Sequence, residues 1–281
     1  MKIDVKDSIQ ALIQPRKVDA HKGNFGHALL IAGNLGRVGA AVIAARACLR
    51  SGVGLLTVSV PQEERVILQI AIPEAMLIMR DGISEGLNNY SALGIGCGIG
   101  TSETAKELLI AVLSQIEVPL LLDADALNII SENKDLLNQL PQKTIITPHP
   151  KEFDRLFGFH ASQNDRTFTA ITKAEEYDIV VVLKGHETLV TSGGEAFFNT
   201  TGNAGLAKGG SGDALTGIIT AFLAQGYPPF DAAKMGVYIH GLAADLTLAE
   251  QSIESMLITD VIEHLGKAFH ELSMPQKKRL Y

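Results

Sequence analysis

Residues 202–213 read Gly-Asn-Ala-Gly-Leu-Ala-Lys-Gly-Gly-Ser-Gly-Asp and run directly into the apolar stretch ALTGIITAFLAQG. Gly209, Gly210 and Gly212 let a backbone come close to a bulky ligand. The helix expected to follow points its free N–H groups and positive dipole end at the same place, which suits phosphate. Asp213 falls at that helix start. A carboxylate there makes a good N-cap and is also placed to take a proton from a hydroxyl beside a bound phosphate. Glycines, helix start and acid together point to phosphoryl transfer. A flexible loop ending in an ordinary cap would not need so many glycines.

Further segments carry candidate chemistry. In VLKGHETLV (182–190) a buried strand delivers Lys184 and Gly185 into a loop. An ammonium and loop amides both serve as phosphate ligands, although in isolation these residues also read as a strand end with a solvated lysine. TPHPKEF (147–153) directly follows a strand, and Pro148 and Pro150 bias the residues before them away from helix. His149 is therefore expected in an extended loop at the carboxyl end of a strand, where α/β ligand sites lie. Glu152 then falls in the first turn of the next helix. Alone, they would read as a packed loop histidine and a dipole-matching carboxylate.

GIGCGIG (94–100) has Ile99 where the last glycine of a dinucleotide fingerprint belongs, so it reads as a glycine turn lining a cleft. GNLGRVGAAV (33–42) lacks the Lys and Ser/Thr of a Walker A loop. Close approach to a ligand at Gly39, Ala40 and Ala41 and a tight helix–sheet contact both fit it. DADAL (123–127) puts Asp123 and Asp125 at a strand end, suited to a hydroxyl, to Mg²⁺-bound water or to a helix cap. His240 and Asp245 share a helix but sit on different faces, which disfavours a common metal site and leaves structural or adenine-side packing. HKGNFGH (21–27), with Lys22, Gly23 and His27, reads as a loop that could close over a ligand.

The elements that must hold these residues are legible as apolar runs at 27–33, 54–60, 75–80, 91–96, 118–125, 143–149 and 178–185. Most are continuous rather than alternating, as in strands buried on both faces. Helix-like stretches at 39–52 and 101–115, the second with an imperfect capping box at Thr101 and Ser102, lie between strands and argue for a mainly parallel α/β sheet. After Gly185 the pattern becomes an antiparallel hairpin turning at Ser192-Gly193-Gly194. Helices dominate from Ser211 to about Ala249 and again from Thr259 to about Leu272. With no linker or repeat, a single domain over 1–281 is expected.

Bulk properties narrow the partners. A net charge of −7, with only KKR at 277–279 locally basic, argues against a nucleic-acid backbone. Two cysteines, Cys48 and Cys97, make neither a disulfide framework nor a zinc site. MKIDVKDSIQ does not read as a signal peptide, and no apolar run reaches about 18 residues, so a soluble cytoplasmic protein is expected.

Five segments in this order, HKGNFGHALLIAG, GAAVIAARACLRSGVGLLTV, ITPHPKEF, VVLKGHETLV and GNAGLAKGGSGDALTGII, resemble the ADP/ATP-dependent (S)-NAD(P)H-hydrate dehydratases of the ribokinase-like superfamily. The resemblance covers roughly residues 20–270. TPHP-x-E together with N-x-G-x-A-K-G-G-[ST]-G-D is specific to this family, whereas the G-x-G-D ending is shared with ribokinase-like kinases generally. The resemblance implies a ribokinase-like fold and a metabolite-repair lyase that returns (6S)-hydrated NADH or NADPH (NADHX, NADPHX) to NAD(P)H. The ring hydroxyl would be phosphorylated and phosphate would then leave. Bacterial members typically use ADP and eukaryotic ones ATP; ADP, giving AMP and phosphate, is expected here.

By the same resemblance Asp213 is the catalytic base, and the amides of Gly210, Ser211 and Gly212 stabilise the transferred phosphoryl group. Lys184, Gly185, His186, Glu187 and Thr188 form the nucleotide-binding loop. Ala41, Gly98 and His149, with Asp213, contact the hydrated dinucleotide. Mg²⁺ is implied, with Glu152 acting through water. Small molecules are the implied partners, with no nucleic acid or membrane, and a homo-oligomer, a tetramer above others, is implied. Some bacterial members carry an N-terminal epimerase domain, for which no room is expected before residue 20. Cys97 stands where the family commonly has proline, Lys151 where glycine is common and Ser211 where threonine is frequent. None removes a reacting group, though Cys97 bears on the shape of the dinucleotide site. The competing readings are a hydroxyethylthiazole- or sugar-type kinase, which lacks TPHPKEF and KGHET in this arrangement, and a non-catalytic nucleotide sensor, which the intact Asp213 disfavours.

Overall fold

The computed structural model describes residues 5–80 and 86–273; the first residues of MKIDVKDSIQ and the KKR cluster lie outside them. Strands such as Val180–Leu183 are buried at every position, which requires cover on both faces of the sheet. The described strands are β1 (His27–Ile31), β2 (Leu55–Val60), β3 (Met76–Met79), β4 (Ala92–Ile95), β5 (Leu120–Leu122), β6 (Ile145–Ile146), β7 (Val180–Leu183), β8 (Leu189–Ser192) and β9 (Glu195–Phe198). They form one sheet in the order β3-β2-β1-β4-β5-β6-β7-β8-β9. All pairings up to β7 are parallel, and β8 and β9 are antiparallel. The expected hairpin turn is present: Ser192 pairs with Glu195 across Gly193 (φ 54°) and Gly194 (φ 84°), the two positive φ values that a type I′ connection needs.

The helices are α1 (Val5–Leu12), α2 (Val38–Arg50), α3 (Arg65–Ala71), α4 (Glu103–Leu113), α5 (Asp125–Glu132), α6 (Pro150–Phe157), α7 (Gln163–Glu176), α8 (Ser211–Ala224), α9 (Pro229–Thr247) and α10 (Ile258–Ser273). Successive strand residues point to opposite faces, and the core divides accordingly. Leu30, Val58 and Val182 pack with α2, α8, α9 and α10. Leu29, Ile31, Ile95 and Val181 pack with α4 to α7. No helix among the described residues is long and apolar enough to cross a membrane.

Strand order reverses between β1 and β4, so the connections leaving their carboxyl ends diverge and open a crevice there. The glycine turns after β1 and β4 are locked to each other across it, Gly33 N donating to Cys97 O at 2.7 Å. The loop 21–27, by contrast, does not close over this crevice. It leads into the amino end of β1, and His27 bonds Thr57 and stacks its edge on Tyr90. Lys22, Gly23 and His27 therefore belong to the opposite end of the sheet.

Helix α8 is buried from Ala214 through Ala224, pressed between the sheet, α2 and α9. Gly217 makes the α2 approach possible: an added Cβ would lie 2.1 Å from Ala44 O and 3.0 Å from Cys48 N. In a helix interior alanine is favoured over glycine by about 1 kcal/mol, while overpacking costs about 1–3 kcal/mol. The clash here is with backbone, so overpacking wins. Gly217→Ala is expected to lower the unfolding midpoint in urea, and an unchanged or raised midpoint would show that α2 can withdraw freely.

Candidate active site

The backbone at the start of α8 is shaped by Gly210, which caps the helix in the left-handed region (φ 93°) with no side-chain hydrogen bond. This corrects one expectation: Asp213 lies in the first turn but does not cap it. Its carboxylate is thereby left for other work. Ser211 and Gly212 line a cleft of about 800 Å³, and first-turn amides have no partner inside their own helix.

Beneath Gly212 lies an ion pair between a buried Asp123 and a half-buried Lys184, whose side chain is 21% exposed. Lys184, at the end of β7, donates from Nζ to Asp123 Oδ1 at 2.9 Å, and Thr216 on α8 donates to Asp123 Oδ2 at 2.9 Å. An added Cβ on Gly212 would sit 3.3 Å from both Asp123 Oδ2 and Lys184 Nζ. Burial alone would push the Asp123 carboxyl up. The Lys184 charge and hydrogen bonds from Lys184, Thr147 and Thr216 outweigh it and hold the carboxyl below its ordinary value. Burial likewise works against the Lys184 charge, but Asp123 and Glu152 hold its pKa above the usual lysine value. Asp123 does not cap α5, and Asp125 diverges from it to accept the Gly100 N–H at 2.8 Å.

The TPHPKEF segment folds as its prolines require. His149 is extended (φ −76°, ψ 165°) and caps α6, whose first residue is Pro150. Its Nδ1 accepts from Lys151 N at 3.1 Å and Glu152 N at 3.2 Å, while Glu152 Oε2 accepts from His149 N at 2.8 Å. Because Nδ1 is an acceptor, the neutral ring carries its proton on Nε2. Burial, with the Lys184 and Arg155 charges, outweighs the opposing Glu152 charge and lowers the His149 pKa, so this neutral form is favoured. Glu152 itself is buried and lies 3.9 Å from Lys184. Asp123, Lys184, Glu152 and His149 are thus one continuous chain of charge and hydrogen bonds.

The cleft runs from His149, Lys184, Gly185, His186 and Thr188 past Ser211 and Gly212 to Val237, His240 and Gly241 on α9. Gly185, His186 and Glu187 are exposed at the β7–β8 connection, and Glu187 is not in the lining. His240 is in the wall, its pKa lowered to about 4 by burial and by Lys184, so it is neutral at physiological pH. Asp245 turns away from it and binds Gly202 N at 2.8 Å and Asn203 Nδ2 at 2.9 Å, anchoring the start of the glycine loop. Among the described residues no group of three His, Cys, Asp or Glu is arranged to hold a metal ion.

Asp213 joins this cleft to the β1/β4 crevice. Burial first, then the charges of Asp123 and Asp125, push its carboxyl above the ordinary value, against a Cys97 hydrogen bond and Lys184, which pull it down. On the crevice side the glycine turn rests on the start of α2: a Cβ added at Gly98 would lie 3.0 Å from Ala40 Cβ. Ala41 is fully buried, whereas Gly39 is exposed and Ala40 half-buried. The structure thus brings Gly98 to the surface of the crevice and keeps the Ala41 side chain beneath it. Thr216 and Lys208 escaped the sequence reading. A threonine one turn after Asp213, in the apolar part of α8, was the available signal for the first.

Replacing Asp123 with alanine leaves the half-buried Lys184 ammonium with only the more distant Glu152, 3.9 Å away. Loss of one partner of a buried pair costs about 3–5 kcal/mol, against about 1 kcal/mol or less for a screened surface pair. Urea unfolding of Asp123→Ala is expected to give the larger loss at neutral pH. Because the folded carboxyl lies below its unfolded value of about 3.9, this stabilisation is present above that pH and is lost as pH falls through the folded pKa. The difference between wild type and variant therefore shrinks in acid.

The family profile described as NAD(P)H-hydrate dehydratase matches residues 28–267. The ADP-dependent (S)-NAD(P)H-hydrate dehydratase of Neisseria meningitidis is 39% identical over 258 residues, 89% of this chain and 87% of that protein. The bifunctional NAD(P)H-hydrate repair enzyme of Vibrio cholerae is 39% identical over 260 residues, 91% of this chain and 52% of that protein. The chain thus spans about half the length of the bifunctional relatives it matches. The crystal structure of the ADP/ATP-dependent NAD(P)H-hydrate dehydratase of Bacillus subtilis, co-crystallised with ATP/Mg²⁺, superimposes with a TM-score of 0.86 at 31% identity, covering 95% of this chain and 97% of that one. The ribokinase-like α/β architecture expected from the sequence is borne out. On the profile match and these identities, the chain belongs to the NAD(P)H-hydrate dehydratase family.

Proposed function

We propose that this chain dehydrates (6S)-hydrated NADH and NADPH at the expense of a nucleotide phosphoryl group, with ADP as donor and AMP and phosphate as by-products. The observation that carries the reading is Asp213 in the first turn of α8, half-buried between a nucleotide-sized cleft and the crevice at the strand-order reversal. In this reading the nucleotide lies along Lys184, Gly185, His186, Glu187 and Thr188. The α8 amides at Gly210, Ser211 and Gly212 receive the transferred phosphoryl group, where preorganised N–H donors stabilise developing charge. Asp213 takes the proton of the C6 hydroxyl as its oxygen attacks phosphorus and the phosphoanhydride bond breaks. The phosphorylated ring then loses phosphate from C6 and a proton from C5, restoring the double bond.

The dinucleotide occupies the crevice, against the backbone of the α2 start near Ala41, Gly98 and the Nε2–H of His149. Mg²⁺, which keeps much of its water shell and needs only one or two carboxylates, would be held chiefly by the nucleotide phosphates and would offset their charge. Glu152, beside Lys184, is the carboxylate its water shell would face. A single domain over 1–281 and a cytoplasmic setting, both expected from the sequence pattern, and a homotetrameric assembly, implied by the family resemblance, complete the reading. A ribokinase-like small-molecule kinase is the second reading, favoured only by the G-x-G-D helix start. It would leave phosphate on its product.

Purified protein given hydrated NADH, Mg²⁺ and ADP or ATP is expected to release NADH and free phosphate in equal amounts, faster with ADP. Asp213→Asn should lower the rate by about 10²–10⁴-fold, the range for a general base, while still binding ADP. Because its acid form must ionise to act and its carboxyl is raised, kcat should fall in acid around a pKa above the ordinary carboxylate value. NADH regained without phosphate release, or undiminished by Asp213→Asn, would overturn the assignment. A stable phosphorylated product would favour the kinase.

A further inference from the structure

Lys208 lies in the glycine loop, two residues before Gly210, and lines the cleft. A lysine there invites a role as a phosphate ligand. Its hydrogen bonds rule that out as its resting state. Nζ donates to Ile253 O at 3.2 Å, Glu254 O at 2.7 Å and Met256 O at 2.6 Å. An ammonium has three N–H donors, so these carbonyls take all of them.

The carbonyls belong to the connection between α9 and α10, which is itself held rigidly. Met256 N donates to Ser252 O at 3.1 Å, and Leu257 N to Asp260 Oδ2 at 2.8 Å. Met256 also packs against the glycine loop, since a Cβ added at Gly205 would lie 2.2 Å from its Cε. Carbonyl oxygens converging on one point repel one another unless a cation sits between them, and such a cluster suits a weakly hydrated monovalent cation. On the other side, Lys208 O accepts from Ser211 N at 3.4 Å, so the lysine backbone leads straight into the start of α8. Between these two anchors the chain is Gly209 and Gly210, which have no side chains to fix them.

We propose that Lys208 is a positioning residue. Its ammonium is a tethered monovalent cation in a cage of three carbonyls, holding the glycine loop in the form that binds phosphate. The cage left by removing it would accept a free ammonium or potassium ion. The inference takes from the proposed function only that this loop holds nucleotide phosphate.

ADP binding by calorimetry, with turnover measured alongside, tests this on wild type, Lys208→Met and Lys208→Gln. Each is measured in tetramethylammonium, ammonium and potassium chloride at equal ionic strength. In tetramethylammonium, which is too large for the cage, Lys208→Met is expected to bind ADP about tenfold or more weakly, the scale of a lost charged hydrogen bond. Ammonium or potassium should restore most of that affinity, while wild type responds to neither. An unchanged affinity in Lys208→Met, or a loss that no small cation reverses, would overturn the proposal. If Lys208→Met does not fold, the same comparison on Lys208→Gln decides. If neither folds in tetramethylammonium, recovery of folding in ammonium decides instead. Wild type that binds ADP without dehydrating the hydrate leaves the cage intact and sinks the functional reading; wild type that does not bind ADP sinks both.

Discussion

The ion pair between Asp123 and Lys184 is the contact on which the rest of the site depends. It ties the carboxyl end of β5 to that of β7, and through Thr216 it ties both to α8. These three elements share no local sequence, and their hydrogen bonds join residues 61 and 93 positions apart. Burying two charges is expensive, and their attraction offsets the cost only where the remaining lone pairs and protons are also satisfied. Asp123 meets that condition with bonds from Lys184 and Thr216, one on each carboxylate oxygen. A strand end, a second strand end and a helix start are thereby fixed in one register. Gly212 follows directly, because it rests over the pair, and an added Cβ would press on both partners at 3.3 Å.

The pair also extends outward. Glu152 stands beside Lys184 and at the same time accepts the His149 backbone N–H. His149 returns the contact through Nδ1, which receives two amides of the first turn of α6. A histidine that spends Nδ1 on its own helix has only Nε2–H to offer a ligand. Its protonation state and its orientation are therefore set by the fold before any ligand arrives. The same logic separates Asp213 from its neighbours. Asp123 accepts hydrogen bonds and the Lys184 charge, which hold its carboxyl below the ordinary value, whereas Asp213 has burial and two like charges pressing on it and is the more basic carboxylate. Two carboxylates a short distance apart are thus driven toward different tasks by environment alone.

Much of this was legible in the chain. Continuous apolar runs announce strands covered on both faces, and Gly209 through Asp213 announce a helix start shaped by glycine, which Gly210 provides in the left-handed region. The Pro148 and Pro150 pair fixes the extended geometry of His149 locally, so sequence suffices there too. What sequence could not reveal depends on contacts between distant segments. Asp213 looked like a cap, but Gly210 takes the capping position in a left-handed conformation that frees the carboxylate. The loop of Lys22, Gly23 and His27 looked like a lid, yet connectivity puts it at the amino end of β1, away from the crevice. Lys208 drew no role from the sequence, because the carbonyls it binds lie in the distant α9–α10 connection.

A cluster holding Asp123, Asp125 and Asp213 is at first sight a poor place to receive phosphate. The charges resolve by function. On the proposed reading the phosphoryl oxygens meet backbone N–H groups at the start of α8, whose dipoles are fixed and need no counter-ion of their own. Lys184 is already shared between two carboxylates, so it offsets their charge more than it binds phosphate. The remaining negative field falls on Asp213 and, with burial, raises its basicity, which on that reading serves the hydroxyl that must lose its proton. On the proposed reading the same arrangement would serve a kinase, and the difference lies in the substrate. The hydrated ring carries a nitrogen next to the phosphorylated carbon, and its lone pair can expel phosphate as the double bond returns. What the protein must supply is a phosphoryl transfer at the right hydroxyl, and the elimination that follows is written into the substrate's own electronics.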